Sequence, residues 1–237
     1  TNLIGSPVCG PNVTDMRHAY SYCKNLIGSP VCGPNVTNMY YTYANCTNLT
    51  GYPVCGPNVV NMSYAYYNCT NLTGPVVCNT NVTDVSYTFF GCNKISSNAY
   101  FLSNNINNVS KCFNGRNTSN ILNIYVPANS ITLNRCLYNN SSSLVGADIT
   151  WDNKITSNGY YCNIEQNIYI YPVNNIVGVY ENSNDYLLKD FTYTDNDSMC
   201  ILTGWRETFN GEISTKLSIP NHRSIVLAIE EDSDISE

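Results

Sequence analysis

A 23-residue segment occurs four times in tandem between residues 1 and 92, and this repeat restricts the possible folds more than any other feature of the chain. The copies (units 1 to 4, residues 1–23, 24–46, 47–69 and 70–92) keep a strict register. Three recurring apolar positions are occupied by Leu3, Leu26, Leu49 and Leu72; by Met16, Met39, Met62 and Val85; and by Tyr20, Tyr43, Tyr66 and Phe89. A unit this short cannot bury its own apolar face, so neighbouring units are expected to stack.

Weaker copies with a period of 24 continue to residue 175, where Val109 and Phe113 follow Val85 and Phe89, and Ile121 is the candidate mate of Ile95. About seven units with a period of this length are typical of a leucine-rich-repeat solenoid, which we predict for residues 1–175. In each unit the segment equivalent to 49–55 is the predicted short parallel β-strand, and we expect Leu49 and Val54 of this segment to lie in the core. Residues 59–66 show the spacing of a short helix or 3₁₀ turn. We expect the residue directly before the position of Met16, Met39, Met62 and Val85 to cap that turn. In the four units this residue is Asp15, Asn38, Asn61 and Asp84.

The second half of the repeat carries a family resemblance. The run Val59-Val-Asn-Met62-Ser-Tyr64-Ala-Tyr66-Tyr-Asn-Cys69-Thr-Asn-Leu72 resembles the BspA-type leucine-rich repeats of bacterial surface proteins. The resemblance covers residues 1–92 well and 93–175 loosely, and it does not extend to 176–237. It implies attachment to host proteins, cells or matrix, and similar repeats also occur on phage virions. The Pro-Val-Cys-Gly-Pro segment departs from the family pattern, which has an aliphatic strand there.

The charge distribution separates residues 176–237 from the rest. The chain has a net charge of −6 and only 12% charged residues, with 38 Asn. This balance argues against a nucleic-acid partner, which needs a basic footprint, and against an anionic membrane surface. No apolar run reaches the roughly 18 residues of a membrane span. Twelve of the 17 acidic residues lie in 176–237, so we place a domain boundary before residue 176.

Residues 176–237 are predicted to form an acidic, β-rich cap on the solenoid or a small appended β domain. The predicted strands are 176–180, 199–205, 213–219 and 224–229, the last of which is expected to be buried. Asn210-Gly211 is typical of a hairpin turn between 206–209 and 212–217. The acidic run 230–237 is expected to be solvated or disordered.

Eight of the 12 cysteines form two ladders that follow the repeat, Cys9, Cys32, Cys55 and Cys78, and Cys23, Cys46, Cys69 and Cys92. Three interpretations remain open. The cysteines are buried thiols that act as small apolar groups, or they pair within a ladder, or the two ladders pair with each other inside each unit. The spacings alternate between 14 and 9 and lack a CxxC pair, which argues against a zinc site.

No motif for catalysis, a cofactor or a metal is present, and we predict a protein that is not an enzyme. The chain has two histidines. His18 stands in a position that is Tyr in the other copies, and His222 follows Pro220 and Asn221 in a polar turn. The acidic residues of 176–237 show no paired-carboxylate pattern, although an enzyme with its site in that segment is a less favoured alternative.

One aromatic stripe is the candidate binding site. Tyr41, Tyr64 and Tyr87, with His18 below them and Tyr40 beside them, recur two residues before the core aromatic position. On a helical turn this offset points to another face, where phenol rings suit a protein or glycan partner. The alternative is a half-buried ladder that packs only against itself. We therefore predict an adhesion protein, extracellular or on the cell surface, that binds a host protein or glycan. The second hypothesis is a structural or host-recognition component of a phage virion, in contact with neighbouring subunits.

Overall fold

The computed structural model describes residues 3–95, 97–146, 148–151 and 160–173 with their side chains, except that of Ser97, and four further strands by their backbone. The chain divides into two compact parts, Thr1–Pro172 and Val173–Glu237. In the first part, units 1 to 4 lie on one another in sequence order, and one continuous core runs through them.

Parallel backbone hydrogen bonds join consecutive units. Isolated parallel bridges link Asp15 to Asn38, Asn38 to Asn61, Asn61 to Asp84 and Asp84 to Asn108, so one slot of the repeat forms a continuous column. Around it, alternate N–H groups of one unit donate to carbonyls of the next, as in Met39 N to Asn61 O at 2.8 Å. Directly before the column the direction reverses, since Thr83 N donates to Val60 O at 2.9 Å. These bonds fix the register between consecutive units.

The second half of each unit consists of overlapping turns, where a helix or 3₁₀ turn was predicted. In unit 2, the N–H groups of Thr42, Ala44 and Cys46 donate to carbonyls three residues earlier. The backbone adopts left-handed φ angles of 56° at Tyr41 and 62° at Asn45, which interrupt any helix. Within residues 3–95 the structure contains no helical turn of either type. The expected capping position survives in another form, because Asn38 Oδ1 accepts the N–H of Tyr40 at 2.9 Å.

Among units 1 to 4, the predicted strand equivalent to 49–55 is present only in unit 4, as β1 (Val76–Cys78). In unit 3, the hydroxyl of Tyr66 donates to Val54 O at 2.7 Å and accepts from Val54 N at 3.0 Å. The backbone of that segment is therefore bonded within its own unit. Unit 4 has Phe89 at the equivalent position, and Val77 pairs with Tyr100 of the next strand.

A five-stranded sheet follows the four units. It contains β1, β2 (Ser97–Phe101), β3 (Leu122–Pro127), β5 (Ile168–Val173) and β4 (Tyr161–Asn163) in that spatial order. The first three strands are parallel, with Ala99 opposite Ile124, and β4 is antiparallel to β5. The helix α1 (Ile131–Cys136) follows β3, and the Ser130 side chain caps it by accepting from Leu133 N.

The second part contains two separate strand pairs. The strands β6 (Asn175–Glu181) and β7 (Ser198–Thr203) are parallel, whereas β8 (Ile213–Ser218) and β9 (Val226–Glu231) are antiparallel. All four overlap segments that were predicted as strands. The predicted hairpin at Asn210-Gly211, the burial of 224–229 and residues 232–237 lie outside the described residues.

The core follows most of the predicted slots. Leu49, Val59, Met62 and Tyr66 are fully buried. Val54, which we expected in the core, is half-buried, because Pro53 and Cys55 on either side of it take the inward positions. Ile121 is also not a core residue: it is exposed, and the neighbouring Leu122 is buried at the start of β3.

Candidate binding surface

The backbone sets the direction of the predicted aromatic stripe. His18, Tyr41, Tyr64 and Tyr87, here called the outer ladder, all adopt left-handed φ angles between 54° and 56°. Left-handed geometry is uncommon for residues other than glycine, and its recurrence in every unit makes it part of the repeat. Two residues later, the inner ladder of Tyr20, Tyr43, Tyr66 and Phe89 points into the core. The two ladders therefore lie on different sides of the same backbone segment.

The rings of the outer ladder stack directly on one another. The ring centroids are 5.2 Å apart between His18 and Tyr41, and 4.5 Å apart in each of the next two pairs along the ladder. The three tyrosines are half-buried and His18 is exposed. Because neighbouring rings cover both faces of Tyr41 and of Tyr64, the ladder presents ring edges and hydroxyl groups rather than flat faces. These two residues therefore display little flat aromatic area.

Tyr40 is the exception, because it crosses the ladder. Its ring lies 4.7 Å from Tyr41 at an interplanar angle of 66° and 5.4 Å from His18 at 87°. It also meets Tyr64 at 76° and 6.2 Å. Since both faces of Tyr41 are already covered, Tyr40 lies over the edges of the ladder rings. Tyr40 is half-buried, and no described ring stacks parallel to it. Its ring face farther from the ladder is here called the outward face.

Three further residues extend this aromatic surface, although the sequence reasoning did not single them out. Lys111 Nζ lies 5.4 Å above the Tyr87 ring centroid and closes one end of the ladder with a cation–π contact. Tyr67 and Phe90 stack on each other at 4.8 Å beside Tyr64 and Tyr87. A signal for Lys111 was present, because it follows Tyr87 at the spacing of the weaker copies.

The surface carries few charges, namely Lys111 at one end and one ion pair. Burial raises the pKa of Tyr64 to about 12 and also raises the pKa of Tyr41, so both phenols keep their protons. Asp15 and Arg17 form an exposed pair at 2.7 Å. A hydrogen bond from the backbone N–H of Arg17 is the main cause that lowers the pKa of Asp15. The groups available on this surface are therefore mainly aromatic rings and hydroxyl groups rather than charges.

The second cysteine ladder belongs to the core. Cys46, Cys69 and Cys92 are buried, and each thiol donates to the carbonyl of an inner-ladder tyrosine in the preceding unit at 3.0 Å. Burial raises the pKa of Cys46 and of Cys92 to about 12. For these three residues the interpretation as buried thiols is confirmed, and they remain protonated rather than reactive.

Nothing in the described side chains assembles an evident reaction centre or metal site. The described residues that line a cleft of about 360 Å³ are Leu137, Asn139, Thr150, Trp151 and Tyr161, and none of these five carries a carboxylate, an imidazole or a thiol. Within the same described residues, no three His, Cys, Asp or Glu side chains converge as a metal site would require.

No helix in the described part of the chain is both long and apolar enough to cross a membrane. Comparison with protein-family models, curated proteins and solved structures gives no match. The aromatic surface therefore has to be interpreted from its own geometry.

Proposed function

We propose that residues 1–175 form a leucine-rich-repeat solenoid of BspA-like type, and that the protein is a non-catalytic adhesion protein on a cell surface. Its partner is a host protein or glycan. The parallel bridges that recur once in every unit support the repeat class, because stacked short units with one shared core define such folds.

One observation carries the functional part of the proposal. The outer ladder and Tyr40 form a continuous aromatic surface that crosses units 1 to 4 on a region with almost no charge. Aromatic side chains with a polar tip are enriched where proteins meet partners. A structural role explains the stacking of the ladder rings on each other, but the outward face of Tyr40 contributes nothing to that stack.

Replacing Tyr41, Tyr64 and Tyr87 together by Ser tests the binding role. We expect binding to a panel of matrix proteins and glycans to weaken at least tenfold, about 1.4 kcal/mol. Because the rings are only half-buried, the variant should remain folded with a lower melting temperature. Circular dichroism and surface plasmon resonance measure the two effects.

The matched control replaces Tyr52 and Tyr138, which are exposed tyrosines outside the ladder, by Ser. It should bind as the wild type does. Normal binding by the folded triple variant would move the site to the face around Tyr52 or to 176–237. Loss of folding in the triple variant would show that the ladder is part of the core.

A further inference from the structure

We propose that the outward face of Tyr40 is a stacking platform for a pyranose ring, and that the partner is a neutral glycan. This inference rests on the proposed binding role of the aromatic surface and names the class of its ligand. Three features of the described residues support it: the orientation of the Tyr40 ring, the polar groups beside that ring, and the low charge of the aromatic surface.

The orientation of Tyr40 provides the flat face. The C–H groups on one side of a sugar ring carry partial positive charge, and the face of an aromatic ring is negative. A sugar therefore needs an open ring face, which stacking removes from Tyr41 and Tyr64. Tyr40 stands at 66° and 76° to these two rings, and no described ring stacks parallel to it. The ladder below fixes the plane of Tyr40, which reduces the entropy lost when a ligand stacks on it.

The Asp15–Arg17 pair provides the polar groups. Arg17 occupies in unit 1 the repeat position that Tyr40 occupies in unit 2, and His18 N donates to Tyr40 O at 3.0 Å between the two units. Arg17 Nε and Nη2 both contact Asp15 Oδ2 at 2.7 Å, and both side chains stay exposed. The pair therefore presents hydrogen-bond donors and an acceptor about one unit away from the platform, with no net charge. Neighbouring sugar hydroxyls need this combination of donors and acceptors.

The alternative occupant, a protein, fits these features less well. Protein hot spots are enriched at the centre of an interface, where side chains fill enclosed pockets from which water is excluded. Tyr40 instead offers a single aromatic ring face beside exposed polar groups. The low charge of the surface also removes the long-range attraction that guides many protein partners together. A sugar ring that stacks on Tyr40 and hydrogen-bonds through its hydroxyl groups requires neither an enclosed pocket nor long-range attraction.

A neutral glycan array, followed by calorimetry with the strongest binder, tests the proposal. We expect Tyr40→Ala to weaken glycan binding at least tenfold and Tyr40→Trp, which retains a flat face, to preserve it. Tyr52→Ala, which removes an exposed tyrosine outside the ladder, is the matched control and should leave binding unchanged. Tyr40→Leu keeps apolar volume without a ring face. It should fold even if Tyr40→Ala does not, and should also lose binding. Affinity should change less than twofold between low and high salt.

Several results would overturn the proposal. They are the absence of binding to every neutral glycan, binding that Tyr40→Leu leaves intact, or a requirement for acidic sugars. If wild-type protein binds a matrix protein and the triple Ser variant loses that binding, while no glycan binds, the adhesion role stands and the glycan platform fails. If neither ligand class binds, both proposals fail.

Discussion

In each of units 1 to 3, a single tyrosine hydroxyl group closes the unit by bonding to the backbone of a residue earlier in the same unit. The hydroxyl of Tyr43 donates to Val31 O at 2.7 Å and accepts from Val31 N at 3.0 Å, so one buried side chain satisfies both backbone groups of a residue 12 positions earlier. Burial raises the pKa of Tyr43 above its usual range, which keeps the donating proton in place. Where Phe89 replaces tyrosine, the equivalent Val77 joins a parallel strand pair instead. The residue type at this position therefore correlates with the change from stacked turns to sheet.

We expect Tyr66→Phe to destabilise the protein by about 1–3 kcal/mol, because the N–H and C=O of Val54 lose their hydrogen-bond partner. Urea unfolding followed by circular dichroism measures the change. Tyr52→Phe is the matched control, since Tyr52 is exposed, and it should be close to neutral. Equal stability of the two variants would mean that water or another unit satisfies Val54.

At the scale of the element, the period of the sequence predicts more than its residue types do. The spacing correctly places Leu49, Val59 and Met62 in the core, because burial depends on register. It does not predict that Tyr41 adopts a left-handed backbone, since tyrosine ordinarily avoids that region. The helix prediction fails for this reason. The strand prediction fails in unit 3 because a side-chain hydroxyl from the same unit takes the backbone groups that a strand needs.

The candidate surface was predictable to a similar degree. The recurrence of aromatic residues identified the outer ladder, and the structure brings its members together. The perpendicular orientation of Tyr40 was not predictable, because it depends on rings from three units that meet only after stacking. The coverage of ring faces follows from the spacing between units and was missed for the same reason.

Close stacking of the units predicts an asymmetric effect of one substitution. A Cβ added at Gly56 would lie 2.8 Å from Cys32 Sγ and 2.9 Å from Gly33 O in the preceding unit. We expect Gly56→Ala to destabilise the protein by about 1–3 kcal/mol through overpacking. Gly10 occupies the same slot in unit 1, where the nearest atom to an added Cβ is Val13 Cγ2 at 3.8 Å. Gly10→Ala should therefore be nearly neutral in the same urea assay, and equal effects would show that local conformation dominates.

At the scale of the whole molecule, the stack has two different ends. Lys111 closes the outer ladder beyond Tyr87, and the five-stranded sheet continues the core beyond unit 4. Unit 1 presents the opposite end to solvent: Leu3 is 47% exposed, whereas its mate Leu26 is fully buried. In unit 2 the carbonyls of Asn38, Tyr40 and Thr42 accept hydrogen bonds from unit 1. No described residue donates to the equivalent carbonyls of unit 1, which belong to Asp15, Arg17 and Ala19.

Fusing a copy of residues 24–46 directly before Thr1 should therefore stabilise unit 1. The junction reproduces the Cys46-Thr47-Asn48-Leu49 sequence between units 2 and 3, so the register of the repeat is kept. Burial of the 47% of Leu3 that is exposed contributes roughly half of the value for a whole leucine side chain, about 0.7–1.4 kcal/mol, and the carbonyls of Asp15, Arg17 and Ala19 gain donors. Hydrogen exchange should show slower exchange for amides in unit 1, and the urea midpoint should rise. The control is the same fusion with Asp at the position copied from Met39, which places an unpaired charge in the core. Equal protection of unit 1 in the two fusions would show that the added unit does not stack, and would contradict the extension of the column described here.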